Sequence, residues 1–242
     1  MEFVTKKRLL SSRIHEVSIP SNFYSCSTSN SCKMLKIRSQ SNTLYFTNRQ
    51  RPYGFSFGEW TVRWWQWAVS SPVDVNPIVD ETGRYANMNQ SGPVWFLAGT
   101  PGENKTPIRK CVVPSGKALL FPVINYEINQ LEDPNLRTED AMVKHVVDDI
   151  NDIINKEAIV DGNRIPTYRV QSSPKVFSLD VCKDSWLGIS PGLIKAAADG
   201  YWVFLKPLDI GKHEIYFHGS CSGGLRNSTA KYTVTVSNLK PN

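Results

Sequence analysis

The stretch "GEWTVRWWQWAVSSP", Gly58 to Pro72, places Trp60, Trp64, Trp65 and Trp67 within eight residues of a chain that has seven tryptophans. So much rigid apolar surface in one short segment has to be buried or offered to a ligand, and local geometry separates the two outcomes. Ser56-Phe57-Gly58-Glu59 has the S-x-x-E form of a capping box, so a helix is expected to start there. Ser71-Pro72 stops it near Ser70. At 100° per residue, Glu59, Arg63, Gln66 and Ser70 share one narrow arc. Trp60, Trp64, Trp67 and Ala68 lie opposite, and Val62, Trp65 and Val69 form a third side. A polar stripe this narrow predicts a helix buried over most of its circumference, with Trp65 as the one ring placed to serve a ligand.

The residues that follow, "PVDVNPIVDETGRYANMNQSG" (72–92), read as a long loop of Asn, Asp, Pro and Gly. Strands are expected at "PVWFLAG" (93–99), "IRKCVVP" (108–114) and "ALLFPVIN" (118–125), where Pro122 suggests an edge or a bulge. An amphipathic helix over 138–156 opens at Thr138 and keeps Met142, Val143, Val146, Val147, Ile150, Ile153 and Ile154 on one face. "AIVDGNRI" is a hairpin turning at Asp161-Gly162. "SSPKVFSLDV" alternates Phe177, Leu179 and Val181, and "SPGLIKAAADG" reads as a short helix between Pro191 and Gly200. Three strands close the chain, with Tyr232, Val234 and Val236 facing inward. Together these elements predict a mainly β (β+α) fold: an antiparallel, jelly-roll-like β-sandwich with a Trp-rich N-terminal helix and the 138–156 helix.

Charge divides the chain. Residues 1–51 hold nine basic and two acidic side chains, a net +7, whereas the other 191 residues hold 19 basic and 20 acidic ones, a net −1. We therefore expect a basic N-terminal extension over 1–51, disordered or ordered by a partner, and a single sandwich domain over 52–242. The extension has the Ser-rich, acid-poor composition of an organellar transit peptide. A neutral body argues against nucleic acid as a partner, since that needs a sustained basic face. No apolar run reaches the ~18 residues of a membrane span. "KKRLLSSR" lacks the apolar stretch of a secretory signal, so none is expected. Cys26 and Cys32 lie in the extension. Cys111, Cys182 and Cys221 lie in the body, leaving at least one of these three without a partner there.

The motifs "WTVRWWQWAVSSP", "NQSGPVWFLAGT", "VPSGKALLFPVIN", "VDGNRIPTYRVQSSPKVFSL" and "DGYWVFLKPLDIGKHEIYFHGS" resemble, in the same order, a family of uncharacterised bacterial and archaeal proteins. The resemblance covers roughly Gly58 to Val236. It implies a fold and an extracytoplasmic setting, with a signal peptide ahead of the Trp segment in relatives, and it implies no activity. Relatives carry a cysteine about where Ala86 stands here, which on this resemblance leaves Cys111 single.

No catalytic motif is present: no nucleophile elbow, P-loop, GxGxxG or HExxH, and "GSCSGG" (219–224) matches none of these. Candidate binding residues are Trp65, Asp80, Gln90, Asn125, Glu127 and His213, with Asn125, Glu127 and His213 meeting as a polar cluster if their segments converge. Strand alternation puts His213 and His218 on opposite faces, so they do not chelate together. Asp74, Asn76 and Asp80 offer oxygens for Ca²⁺, but not at EF-hand spacing, and turn-forming residues account for the same letters. No metal site and no cofactor are expected. The sequence thus points to non-enzymatic binding of a carbohydrate or protein partner at an envelope or surface. One alternative is a hydrolase with a carboxylate/His pocket under the 72–92 loop. A second is a structural assembly subunit, homo- or hetero-oligomeric, docked by its basic tail.

Overall fold

The computed structural model describes residues 43–102, 105–222 and 226–238. Most of the basic extension lies outside the described residues, and with it the expectation of a tail-docked assembly. Where the described chain begins, Tyr45 forms a single bridge to Leu205, and Phe46 N–H donates to Phe204 O at 2.8 Å.

Among the described residues two α-helices and ten strands follow in the order α1 (Phe57–Ala68), β1 (Val94–Phe96), β2 (Ile108–Pro114), β3 (Ala118–Asn129), α2 (Glu139–Asn151), β4 (Ile153–Val160), β5 (Asn163–Arg164), β6 (Tyr168–Arg169), β7 (Val176–Val181), β8 (Gly192–Leu205), β9 (Gly211–Cys221) and β10 (Asn227–Ser237). The first sheet runs β1-β3-β8-β6 with β7 also on β8, and the second runs β2-β10-β9-β4-β5. Pairing is antiparallel except at β1–β3 and β2–β10, which are parallel. The fold is mainly β and sandwich-like, with the Trp-rich helix as a third layer. Between the sheets, Phe121 and Phe217 stack at 4.7 Å amid Leu119, Val203, Ile215, Tyr232 and Val234. On the far face of the first sheet, Trp60, Trp64 and Trp67 pack over Phe96, Leu120, Trp202 and Phe204. The first sheet is covered on both faces, so β3 is buried without interruption from Ala118 to Ile124. The second sheet has one covered face, so Tyr232, Val234 and Val236 alternate with half-buried Thr233 and Thr235.

α1 forms as its sequence predicts. Ser56 accepts from Glu59 N–H, and Ser56 N–H donates to Glu59 Oε2 at 2.7 Å, which completes the capping box. Only Gln66 is fully exposed on the helix. Ser56→Ala is expected to cost about 1 kcal/mol, read as a lower urea midpoint at unchanged slope.

Two expectations fail. The 138–156 helix ends at Asn151, where Asp152 caps it, and Ile153 opens β4. Asn, Asp and β-branched Ile are weak helix formers. Here β9 offers Ile153 a strand partner, while Ile154 is exposed. The short helix expected near Pro191–Gly200 is instead the first half of β8. Alanine favours helices, but β7 and β3 flank this segment as strands, and its small side chains let neighbours close on both faces. Ala196 and Ala198 pack under the Trp layer, and Ala197 packs against Met142 and Val146 of α2. Pro122 marks a bulge within β3, a strand paired on both sides over part of its length. The Asp161-Gly162 turn is as expected, with φ of 49° and 79°, the left-handed pair of a tight hairpin.

Candidate functional site

β1 pairs only with Ala118 to Leu120, so the far half of β3 has no strand on that side among the described residues. Beside this free edge lies a cavity of about 210 Å³. Trp64 and Trp65 of α1 wall it on one side, and Asp149 and Ile150 of α2 on another. Ile124 to Glu127 of β3 form its flank. Gly99 to Gly102, Trp186 and the segment from Arg226 to Ser228 complete it. A glycine brings the second sheet this close: a Cβ at Gly219 would sit 2.5 Å from that of Ile124.

The polar groups of the cavity are unusual in kind. Glu127 is 4 % exposed. Burial, and then the charge of Glu132 beside it, push its pKa up to about 8. Burial raises Glu132 as well. Asn129 Nδ2 donates to Glu127 Oε1 at 3.1 Å and also to Glu132 Oε2. The Asn129 amide thus joins the buried Glu127 carboxyl to that of Glu132, which is exposed. Across the cavity, Asp149 Oδ1 lies 2.7 Å from Arg226 Nη1, and the Arg226 guanidinium stands 4.9 Å from the Tyr126 ring centre. Burial, then the charge of Asp149, raises the Tyr126 phenol. Asp149 Oδ2 is buried without a hydrogen bond, since His145 Nε2 at 3.5 Å does not supply one. Trp65 Nε1 and Asn125 Nδ2 are likewise buried without partners. Trp186 stacks on Trp65 at 6.5 Å and 18°, with its own Nε1 bonded to Ala68 O.

Of the residues singled out by sequence, Trp65, Asn125 and Glu127 meet here. The others do not. His213 sits at the β4–β5 turn, 2.7 Å from Asp161 Oδ2 and 2.9 Å from Asp209 O. Burial opposes its charge, but Asp161 and Asp209 outweigh that and raise its pKa. Asp80 caps a turn by accepting from Thr82 and Tyr85 N–H. Burial alone would raise its pKa, and these bonds hold it below the usual carboxylate value. Gln90 clamps the 72–92 loop to β1 through Phe96 N–H and O at 2.9 and 2.8 Å. Asn76 spends its amide on Ala68 O and Ser71 O, both at 2.9 Å, and its Oδ1 on Ile78 N–H, while Asp74 is exposed. No group of three or more His, Cys, Asp or Glu among the described residues is placed to hold a metal ion. The 72–92 loop is internally bonded and lends the cavity Ile78 alone.

Tyr126, Glu132, Asp149, Trp186 and Arg226 were not among the sequence candidates. Asp149 follows His145 by one helical turn, and Tyr126 and Glu132 flank Glu127, but nothing local to Arg226 or Trp186 marks them. Among the described residues the thiols of Cys111, Cys182 and Cys221 are free. No helix there is long and apolar enough to cross a membrane.

No protein-family model matches the chain, and no curated protein matches it. Among solved structures, a comparison finds one described as "Structure of PbICP-C in complex with falcipain-2", at 13% identity and a TM-score of 0.26, covering 60% of this chain and 100% of that one. A likeness at that level carries no argument about this chain.

Proposed function

We propose that the protein binds a small carbohydrate in the cavity beside β3 and releases it unchanged. One observation carries this. Of the five buried side-chain atoms without hydrogen-bond partners among the described residues, three belong to residues lining this one cavity: Trp65 Nε1, Asn125 Nδ2 and Asp149 Oδ2. Buried polar atoms are nearly always paired, so three orphans on residues that line one hollow space fit a ligand that pairs them as it packs against those side chains. Two donors and one acceptor suit hydroxyl groups, which both give and take hydrogen bonds. The Trp64, Trp65 and Trp186 walls suit the apolar face of a sugar ring. At about 210 Å³ the space falls below the ~300–1,000 Å³ of drug-sized sites, so the ligand is of about one ring. Carbohydrate is therefore favoured over a protein partner. The resemblance of the motifs supports placing that activity outside the cytoplasm, as part of the same proposal.

Tryptophan fluorescence, titrated with a panel of monosaccharides, tests it. A saturable change is expected, and Trp65→Phe, which removes the N–H and keeps a ring, is expected to weaken binding by roughly two- to tenfold. A panel in which no sugar alters the emission or the melting temperature overturns the proposal.

Hydrolysis is favoured by a separate observation, the carboxyl pair at Glu127 and Glu132. A buried acid kept protonated near neutral pH is suited to donate a proton to a leaving group. Turnover of aryl glycosides that vanishes in Glu127→Gln, with binding retained, would replace simple binding by catalysis.

A further inference from the structure

We propose that the free edge of β3 recognises two hydroxyls on adjacent ring carbons, through the backbone N–H and C=O of Asn125 or of Glu127. This rests on the carbohydrate site above and names the part of the sugar that is read.

Strand pairing fixes where these groups point. In an antiparallel pair each residue turns both its N–H and its C=O either to the partner strand or away from it, and successive residues alternate. On β8, Gly200 O accepts from Val170 N–H at 2.8 Å, and Ala198 O accepts from Ser172 N–H at 2.9 Å. Both residues therefore turn their backbone groups away from β3. Asn125 stands opposite Gly200, and Glu127 opposite Ala198. Opposed residues share one orientation, so Asn125 and Glu127 face away from β8, toward the edge that β1 leaves free beyond Leu120. The spacing agrees. A Cβ on Gly200 would sit 2.6 Å from that of Asn125, as expected of the closer pairs that exchange no hydrogen bond. Both residues line the cavity, and Glu127 is buried. Among the described residues no backbone partner meets the N–H or C=O of either on this side. Buried backbone groups are nearly always paired, and a sheet edge in a protein is normally covered.

A pair of adjacent hydroxyls has the shape of one residue on a partner strand. Such a residue would offer its own nitrogen and oxygen, joined through N–Cα–C=O, and a strand ψ near +135° sets those two atoms about 45° apart in torsion. Hydroxyls on adjacent ring carbons are joined through O–C–C–O, and a staggered ring sets them about 60° apart. One hydroxyl accepts from the N–H while the other donates to the C=O, and either can take either part. Hydroxyls on alternate carbons are one atom further apart and meet only one of the two groups. Asn125 and Glu127 lie about 7 Å from one another along the strand, so one ring occupies one of them at a time. The remaining oxygens of the ring accept from the orphaned Trp65 Nε1 and Asn125 Nδ2. A peptide strand makes the same two backbone bonds, but a space of about 210 Å³ is better matched to a single ring.

Two cyclohexanetriols of one formula separate the cases, one with its three hydroxyls on adjacent carbons and one with them on alternate carbons. Each is titrated into the full isotope-labelled chain beside glucose, galactose and mannose, and amide hydrogen exchange is followed by NMR. The adjacent triol is expected to bind roughly five- to tenfold tighter than the alternate one, the worth of one more hydrogen bond. Saturation with it, or with any of the sugars that binds, is expected to slow exchange of the Asn125 or the Glu127 amide relative to that of Tyr126, which alternation turns toward β8. Equal binding of the two triols, or a bound sugar that slows neither amide, overturns the reading of the edge and leaves the carbohydrate site standing. Where the sugars bind and neither triol does, the two amides decide alone. No binding by any of the five overturns both. Slowing of the same amides by a blocked dipeptide, with no sugar or triol bound, also overturns both and gives the edge to a peptide. Every measurement uses the unaltered protein, so no misfolded variant shields the proposal.

Discussion

Arg109→Met is expected to lower the unfolding free energy by about 3–5 kcal/mol, because each buried carbonyl left without its donor costs about 1–3 kcal/mol. Arg109 lies on β2 and is 2 % exposed. Among the described residues no carboxylate receives its guanidinium. Nε donates to Asp80 O at 2.5 Å, Nη2 to Ile78 O at 3.0 Å, and Nη1 to Gly99 O at 3.2 Å, to Tyr232 Oη at 2.9 Å and to Ala98 O. One planar fork thus ties the 72–92 loop, the segment after β1 and β10 to β2. Methionine fills similar volume but takes this donor from the Asp80, Ile78 and Gly99 carbonyls, while Ala98 O keeps the Tyr232 hydroxyl; each carbonyl left unpaired is a cost in its own right. Arg109→Lys keeps the charge but not the fork, so an intermediate loss is expected. Urea unfolding of the three proteins decides the matter. A Met variant within 1 kcal/mol of the parent would mean that water reaches these carbonyls. Ile78 and Gly99 also line the cavity, so ligand affinity is expected to fall with stability in the Met variant.

The same residue shows where sequence stops being informative. "IRKCVVP" is plainly a strand, and alternation puts Arg109 on the face of Cys111 and Val113, which makes it a buried cation. Its partners come from loop carbonyls, which carry no side-chain signature. Elements whose reasons are local were legible: the Ser56–Glu59 box, the Asp161-Gly162 turn, and the inward faces of β7 and β10. Elements decided by neighbours were not. β8 is a strand because β3 and β7 hold it on either side, against the helix preference of its alanines. The candidate site divides in the same way. Asn125 and Glu127 stand out after the apolar run from Ala118 to Ile124, and Trp65 on its own side of α1. Asp80, Gln90 and His213 drew attention by type, yet each is consumed by a turn or a clamp. Asp149 and Arg226 reach the cavity only because α2 docks on the end of β3 and β8, a long-range event that no local pattern announces.

Glu127→Gln is expected to remove a pH dependence of stability worth a few kcal/mol in the parent. The sign follows from where the proton is held. The carboxyl has a pKa of about 8 in the fold against 4.5 when exposed, so the folded state binds the proton more tightly. Its contribution is fully present below about 4.5, falls as pH rises at up to about 1.4 kcal/mol per unit, and is lost above about 8. Glutamine imitates the protonated acid at every pH. Parent and variant should therefore be about equally stable in mild acid, and the variant the more stable above about pH 8. Other groups shape the parent curve without cancelling in the same way. His213, also raised, loses stability as pH climbs past its own pKa, while Asp80 and Glu59, both lowered, lose it as pH falls. All three are common to parent and variant, so the difference curve isolates Glu127 together with its effect on Glu132. Urea midpoints from about pH 4 to 9 supply that curve. A flat difference would place the Glu127 carboxyl in contact with water, ionised and unburdened.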